Sequence, residues 1–212
     1  MEDQQATDKV YEQVLTELSR SGAVDDEEQN GTLRILACIL SARAALSLVA
    51  LAELIEIKPE TLRESLQNLD SIVYLPEDDK QPGLRTIHPS FGDYVYARAP
   101  QHLRLRATLG HEALARGCLR RLGQNDLSFN VSQSLSSFTP NSSTIPEIPL
   151  SLVYACLNWA HHIDCTLDST TFDVDIGLVF RSKFLFWLEV LSIVRKTSAA
   201  SGLLRIAGST VS

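Results

Sequence analysis

Between Leu33 and Ile87 the hydrophobic spacing changes once, from a helical period to short β-rich runs. No other feature limits the fold as much. Residues 33–41 (LRILACILS) are apolar nearly all round, which predicts a buried helix. Leu46–Glu56 predicts a second. In KPETLRESLQNL, Pro59 suits a first helical turn, where its missing N–H is not needed. Leu62, Leu66 and Leu69 then share one face, with Glu60, Arg63 and Glu64 outside it. After this third helix, residues 71–75 (SIVYL) are rich in β formers, PEDDKQPG is turn-rich, and Leu84–Ile87 is a second short run. The two runs fit a hairpin. Three helices followed by a hairpin is the element order of a winged helix.

The flanks are helical. Val10, Val14, Leu15 and Leu18, with Tyr11 beside them, predict an amphipathic helix over 7–20, and DDEEQNG predicts a solvated acidic loop. After the hairpin, Pro89 starts a helix carrying Phe91, Tyr94 and Val95 on one side. That helix is too short to stand alone, because isolated helices below ~12–15 residues are marginal in water. The three apolar residues are therefore expected to pack between the winged helix and a helical extension C-terminal to it. A helix over 107–122 has a stripe of Leu114, Ala115, Cys118, Leu119 and Leu122. Arg116, Arg120 and Arg121 fall mostly away from that stripe. With Arg104 and Arg106 they suggest a solvated face or a surface for an acidic partner.

Residues 123–149 are rich in Ser, Asn, Thr and Pro and predict a long loop or linker. Helices are expected again over 149–164, over 172–196 with a break near Arg181–Ser182, and in a short final stretch to about Ala207. The expected fold is mainly α. A winged-helix-like domain over residues 1–100 precedes an all-α, helical-hairpin extension over 101–212.

Bulk properties restrict the function. The net charge is -7 and the pI about 5.2, an unfavourable balance for a phosphate backbone. The third helix sets Lys58 and Arg63 against Glu60 and Glu64, so it lacks the basic face of a DNA reader. Nucleic acid is not expected as a partner, and a small winged-helix DNA-binding regulator is the alternative reading. The four cysteines, Cys38, Cys118, Cys156 and Cys165, form no C-x-x-C and suggest reduced, buried thiols. MEDQQATDK is unlike a signal peptide, and the apolar run at Leu46–Ile55 is interrupted by Glu53 and too short for a bilayer. No membrane association and a cytoplasmic location are expected.

His161, His162, Asp164 and Cys165 place at most two ligands on one helix face, too few for a structural zinc, so no metal or other cofactor is expected. Trp159 and Trp187 are expected in the helical core. No G-x-S-x-G or comparable nucleophile setting occurs, and the chain does not read as an enzyme.

Several segments in order carry a resemblance: VYEQVL, ILACILSARAALSLVALAELI, LRESLQNLDSIVYLPEDD, IHPSFGDYV, HEALARGCLRRL, YACLNWAHHI and FLFWLEVLSIV. Nearly the whole chain resembles the region C-terminal to the NACHT nucleotide-binding domain in large fungal STAND-class, NLR-like proteins of the vegetative-incompatibility type. The most specific piece is HPSFGDYV, supported by the separation of Trp159 and Trp187. The resemblance implies a winged helix in which His88 corresponds to the histidine of a Met-His-Asp motif, which contacts the β-phosphate of ADP. Pro89 stands where that motif has Asp. The chain contains no Gly-Lys pair, so it lacks the phosphate-binding loop of a NACHT domain. The implied function is a non-catalytic regulatory and interaction module, a fragment or truncated relative. Its partners would be proteins, including a NACHT domain supplied in trans.

Overall fold

A computed structural model describes residues 2–21, 26–67, 69–131 and 148–210. The described fold is mainly helical, with one two-stranded antiparallel sheet. Among the described residues no helix is long and apolar enough to cross a membrane. The chain divides into two compact units, residues 1–48 with 57–111 and residues 49–56 with 112–212. The expected loop at 123–149 falls for the most part, over 132–147, outside the described residues.

The first unit contains α1 (Glu2–Ser21), α2 (Asp26–Ser41), α4 (Pro59–Gln67), β1 (Val73–Tyr74) and β2 (Arg85–Thr86). It also holds α5 (Ser90–Asp93) and a π-helical turn at Tyr94–Arg98. The acidic stretch expected as a loop is a correction: from Asp26 onward it is the first part of α2. Acidic residue types suit a helix N-terminus, where the macrodipole is positive. The hairpin pairs Val73 with Thr86 and Tyr74 with Arg85, and β2 packs against α2. Gly83 and Leu84 N–H both donate to the Leu46 carbonyl, at 3.1 and 3.0 Å, which ties the strand entry to the chain beyond α2. Arg63 on α4 donates to Asp79 Oδ1 (Nε, 3.0 Å) and to the Pro76 carbonyl (3.0 Å), fixing the loop between the strands. Leu15, Leu36, Leu62, Leu66, Phe91 and Val95 form the core of this unit.

The second unit contains α3 (Leu48–Ile55, from Val49 onward), most of α6 (Ala107–Gly123), α7 (Leu150–Asp164), α8 (Asp173–Ile193) and α9 (Ala199–Thr210). Helix α7 packs against α8 and α9. The break expected at Arg181–Ser182 is absent, and α8 runs unbroken. Both residues are exposed, and Ser182 Oγ donates back to the Leu178 carbonyl at 3.2 Å. A polar pair on the solvent side interrupts the hydrophobic pattern without interrupting the backbone ladder.

The C-terminus of α3 is closed by side chains. Arg120 Nη2 donates to the Leu54 carbonyl (2.7 Å) and the Glu53 carbonyl (3.1 Å). Glu56, just past the helix, has φ 57°, the left-handed conformation of a helix C-cap. A cation at this end satisfies carbonyls that the helix itself leaves free. A Cβ on Gly117 would lie 2.1 Å from the Leu54 oxygen, so only glycine lets α6 approach α3 this closely.

Candidate functional site

The segment after β2 is held at both ends. Ile87 N–H donates to the Ile72 carbonyl at 2.9 Å, which continues the hairpin, and Phe91 N–H donates to the His88 carbonyl at 3.2 Å, which starts the helix. His88 lies between these bonds and is exposed. Its Nδ1 accepts from Ser90 N–H at 3.1 Å and lies 2.7 Å from Ser90 Oγ. The imidazole thus satisfies a first-turn donor of a helix whose N-cap, Pro89, offers no side-chain bond. Ser90 Oγ is in turn 2.9 Å from Tyr11 Oη of α1. An acceptor Nδ1 puts the proton of the neutral ring on Nε2.

Phe91, Tyr94 and Val95 are all buried within the first unit. Phe91 meets Tyr11 edge-on, with ring centroids 5.3 Å apart and planes at 77°, and Tyr94 lies 5.6 Å from the same ring. Helix α1 is therefore one apolar partner of this helix. The π-helical turn that begins at Tyr94 is closed by Ala99 N–H donating to the Tyr94 carbonyl at 2.8 Å. Arg98, at the end of that turn, binds Asp8 of α1 through Nε (2.9 Å) and Nη2 (3.1 Å).

In the second unit Trp159 and Trp187 are fully buried, and Phe180 stands 4.7 Å from one and 5.4 Å from the other. Trp187 Nε1 donates to the Cys156 carbonyl of α7 at 2.9 Å. His162 is buried and pairs through Nε2 with Tyr154 Oη at 2.8 Å. Among the described residues no group of three or more His, Cys, Asp or Glu is placed to hold a metal ion. Cys165 is exposed rather than buried, because it comes after the last turn of α7. The other three cysteines are buried. Burial pushes the Cys38 thiol up to about 12 and raises Cys118 and Cys156 as well, so these thiols are protonated packing groups and not nucleophiles.

Arg121 is the main correction among the charged residues. Expected on a solvated face, it is 5% exposed. Its Nη1 and Nη2 donate to Asp126 at 2.7 and 2.6 Å, and its Nε donates to Ser151 Oγ at 3.0 Å. Ser151 Oγ donates to Glu53. One buried guanidinium therefore joins residues from α3, α6, the loop after α6 and the start of α7. A buried charge is tolerated only when paired and hydrogen-bonded in this way. The sequence signal is slight, an Arg followed by Asp126 across a turn.

The hydrogen bonds from Arg121 hold the Asp126 carboxyl below the usual carboxylate range, against the opposing effect of partial burial. A depressed folded pKa contributes stability that is complete above the unfolded value and is lost as pH falls through the folded one. Stability should therefore drop below about pH 4, the unfolded value of an Asp. The Asp126 side chain is 46% exposed, so screening limits the contribution to about 1 kcal/mol. Urea melts across pH 3–6 should show a shallower acid slope for Asp126→Asn, and an unchanged slope would remove Asp126 from this account.

Comparison with protein-family models, curated proteins and solved structures gives no match for this chain.

Proposed function

We propose that the chain is a non-catalytic regulatory and interaction module of the kind found C-terminal to a NACHT domain in STAND-type signalling ATPases. In this reading its N-terminal part is winged-helix-like and the rest is a helical extension. The observation that carries the reading is the setting of His88. It is exposed directly after the hairpin, and Nδ1 is committed to Ser90, so Nε2–H is the donor left to meet a phosphate oxygen. A hydrogen bond to a charged group contributes roughly 1.5–3 kcal/mol, enough to bias a two-state clamp. The nucleotide would come with a NACHT domain, since these residues contain no Gly-Lys pair to cradle phosphate.

Calorimetric titration tests this against an ADP-loaded NACHT domain lacking its own C-terminal region. The expected result is binding that His88→Ala weakens about ten-fold or more, in line with the loss of one such bond, and no ADP binding by this chain alone. Absence of binding, or equal binding by the variant, would overturn it. The alternative, a small DNA-binding regulator, would be favoured if the same protein retained random duplex DNA at physiological salt. Against it stands Arg63, the one arginine of α4, whose guanidinium is already engaged by Asp79 and the Pro76 carbonyl.

A further inference from the structure

We propose that the outward face of α8 is a docking seam for an amphipathic helix of a partner protein. That helix carries a carboxylate where it meets Arg181 and basic residues along the flank of Asp175 and Glu189. On the inward face of α8, Val179, Trp187, Val190 and Leu191 are buried, and the helix packs against α7. The solvent side of such a helix is ordinarily polar. Here Val174, Leu178 and Leu185 are 73, 63 and 72% exposed. Together with Arg181, Leu188 and Ser192 they recur at alternating spacings of four and three residues. That spacing aligns them in one row along the helix, about 27 Å long at 1.5 Å per residue. It is the seam pattern by which one helix takes another. Single exposed apolar residues are ordinary, whereas an aligned row of them marks an interaction site.

Charge selects what lies in the seam. Arg181 stands in its middle and is exposed, and among the described residues its guanidinium enters no hydrogen bond or ion pair. Asp175 and Glu189 lie along one side of the row, with Ser182 between them. A second copy of this chain fits poorly. Two α8 helices in parallel register would set Arg181 against Arg181. In an antiparallel pair Arg181 would face apolar or hydroxyl side chains, and Asp175 would approach Glu189 of the second copy. Either arrangement buries an unpaired charge or sets like charges together, and both are unfavourable. A helix with Glu or Asp in the middle of its apolar row, and Lys or Arg on the matching flank, meets each of these charges with its opposite. The seam lies in the second unit and uses neither His88 nor a nucleotide, so its failure and that of the function proposed above are separate results.

Calorimetric titration of the full chain tests the seam with two synthetic helical peptides. Both carry leucine at the seam positions and lysine on the flank that faces Asp175 and Glu189. One has Glu at the central position and the other Arg. The Glu peptide should bind saturably and about ten-fold or more tighter than the Arg peptide, because like charges brought together at an interface cost heavily. Arg181→Glu, a solvent-side change that leaves the inward face of α8 intact, should reverse this preference. Leu185→Asp should abolish binding of both peptides and leave the thermal melt nearly unchanged. Sedimentation should show a monomer. Failure of the Glu peptide to bind, equal binding of both peptides, or a preference unmoved by Arg181→Glu would overturn the proposal. A dimer that Leu185→Asp dissociates would overturn it too, because the occupant would then be a second copy.

Discussion

Gly117→Ala should destabilise the protein by about 3 kcal/mol, at the upper end of overpacking costs, although alanine is intrinsically the better helix former by about 1 kcal/mol. The added Cβ would lie 2.1 Å from the Leu54 oxygen and 2.9 Å from its carbon. These are backbone atoms, so no rotamer change relieves the contact. The same carbonyl accepts from Arg120 at 2.7 Å, and moving it would disturb the cap of α3. Gly110 stands in a similar position in the first unit. A Cβ there would lie 2.2 Å from the Ala37 oxygen and 2.5 Å from Ser41 Oγ, and Gly110→Ala should cost a similar amount. Gly123, at the end of the same helix, has nothing within 4 Å and is the control. Gly123→Ala should be neutral or stabilising by about 0.5–1 kcal/mol. Denaturant melts of the three variants decide the matter, and a stabilising Gly117→Ala would show that α6 and α3 are further apart than these distances.

These glycines mark the boundary of what the sequence discloses. Helix positions are legible because apolar residues recur at helical spacing over most of the chain. The hairpin is legible because SIVYL and the run at Leu84–Ile87 flank a turn-rich link. Periodicity, however, reports which face is buried and not what lies against it. Gly110 and Gly117 cost helix propensity, which signals close approach, but nothing in the sequence says that Ala37 and Leu54 are the neighbours. Arg121 is misread for the same reason. A charge beside an apolar stripe is usually solvated, and only the positions of Ser151 and Asp126 make its burial tolerable. The break expected in α8 fails because a polar pair reads as a backbone signal when it marks the solvent side. His88 stands out from its place between strand and helix. Its link to Tyr11 through Ser90 Oγ is not legible, since Tyr11 and Ser90 are 79 positions apart in sequence.

Phe91→Ala should cost about 3–5 kcal/mol, the range for large buried aromatics, and His88→Ala only about 1 kcal/mol, the usual loss for a capping group. The two residues are near neighbours on one helix start, so the contrast separates packing from hydrogen bonding at a single place. Phe91 is 1% exposed and meets Tyr11 edge-on. Removing its ring leaves a cavity beside Tyr11, and it also takes away part of the apolar surface on which α1 rests. His88 is exposed, and water can replace its ring as the partner of Ser90 N–H, so little is left unsatisfied. Phe91→Leu keeps most of the volume and should recover much of the loss, at a cost of about 1–2 kcal/mol. Thermal melts rank the three variants. If His88→Ala proves as damaging as Phe91→Ala, the imidazole is a structural support of the first unit. The small-cost reading of an exposed, water-replaceable cap would then be wrong.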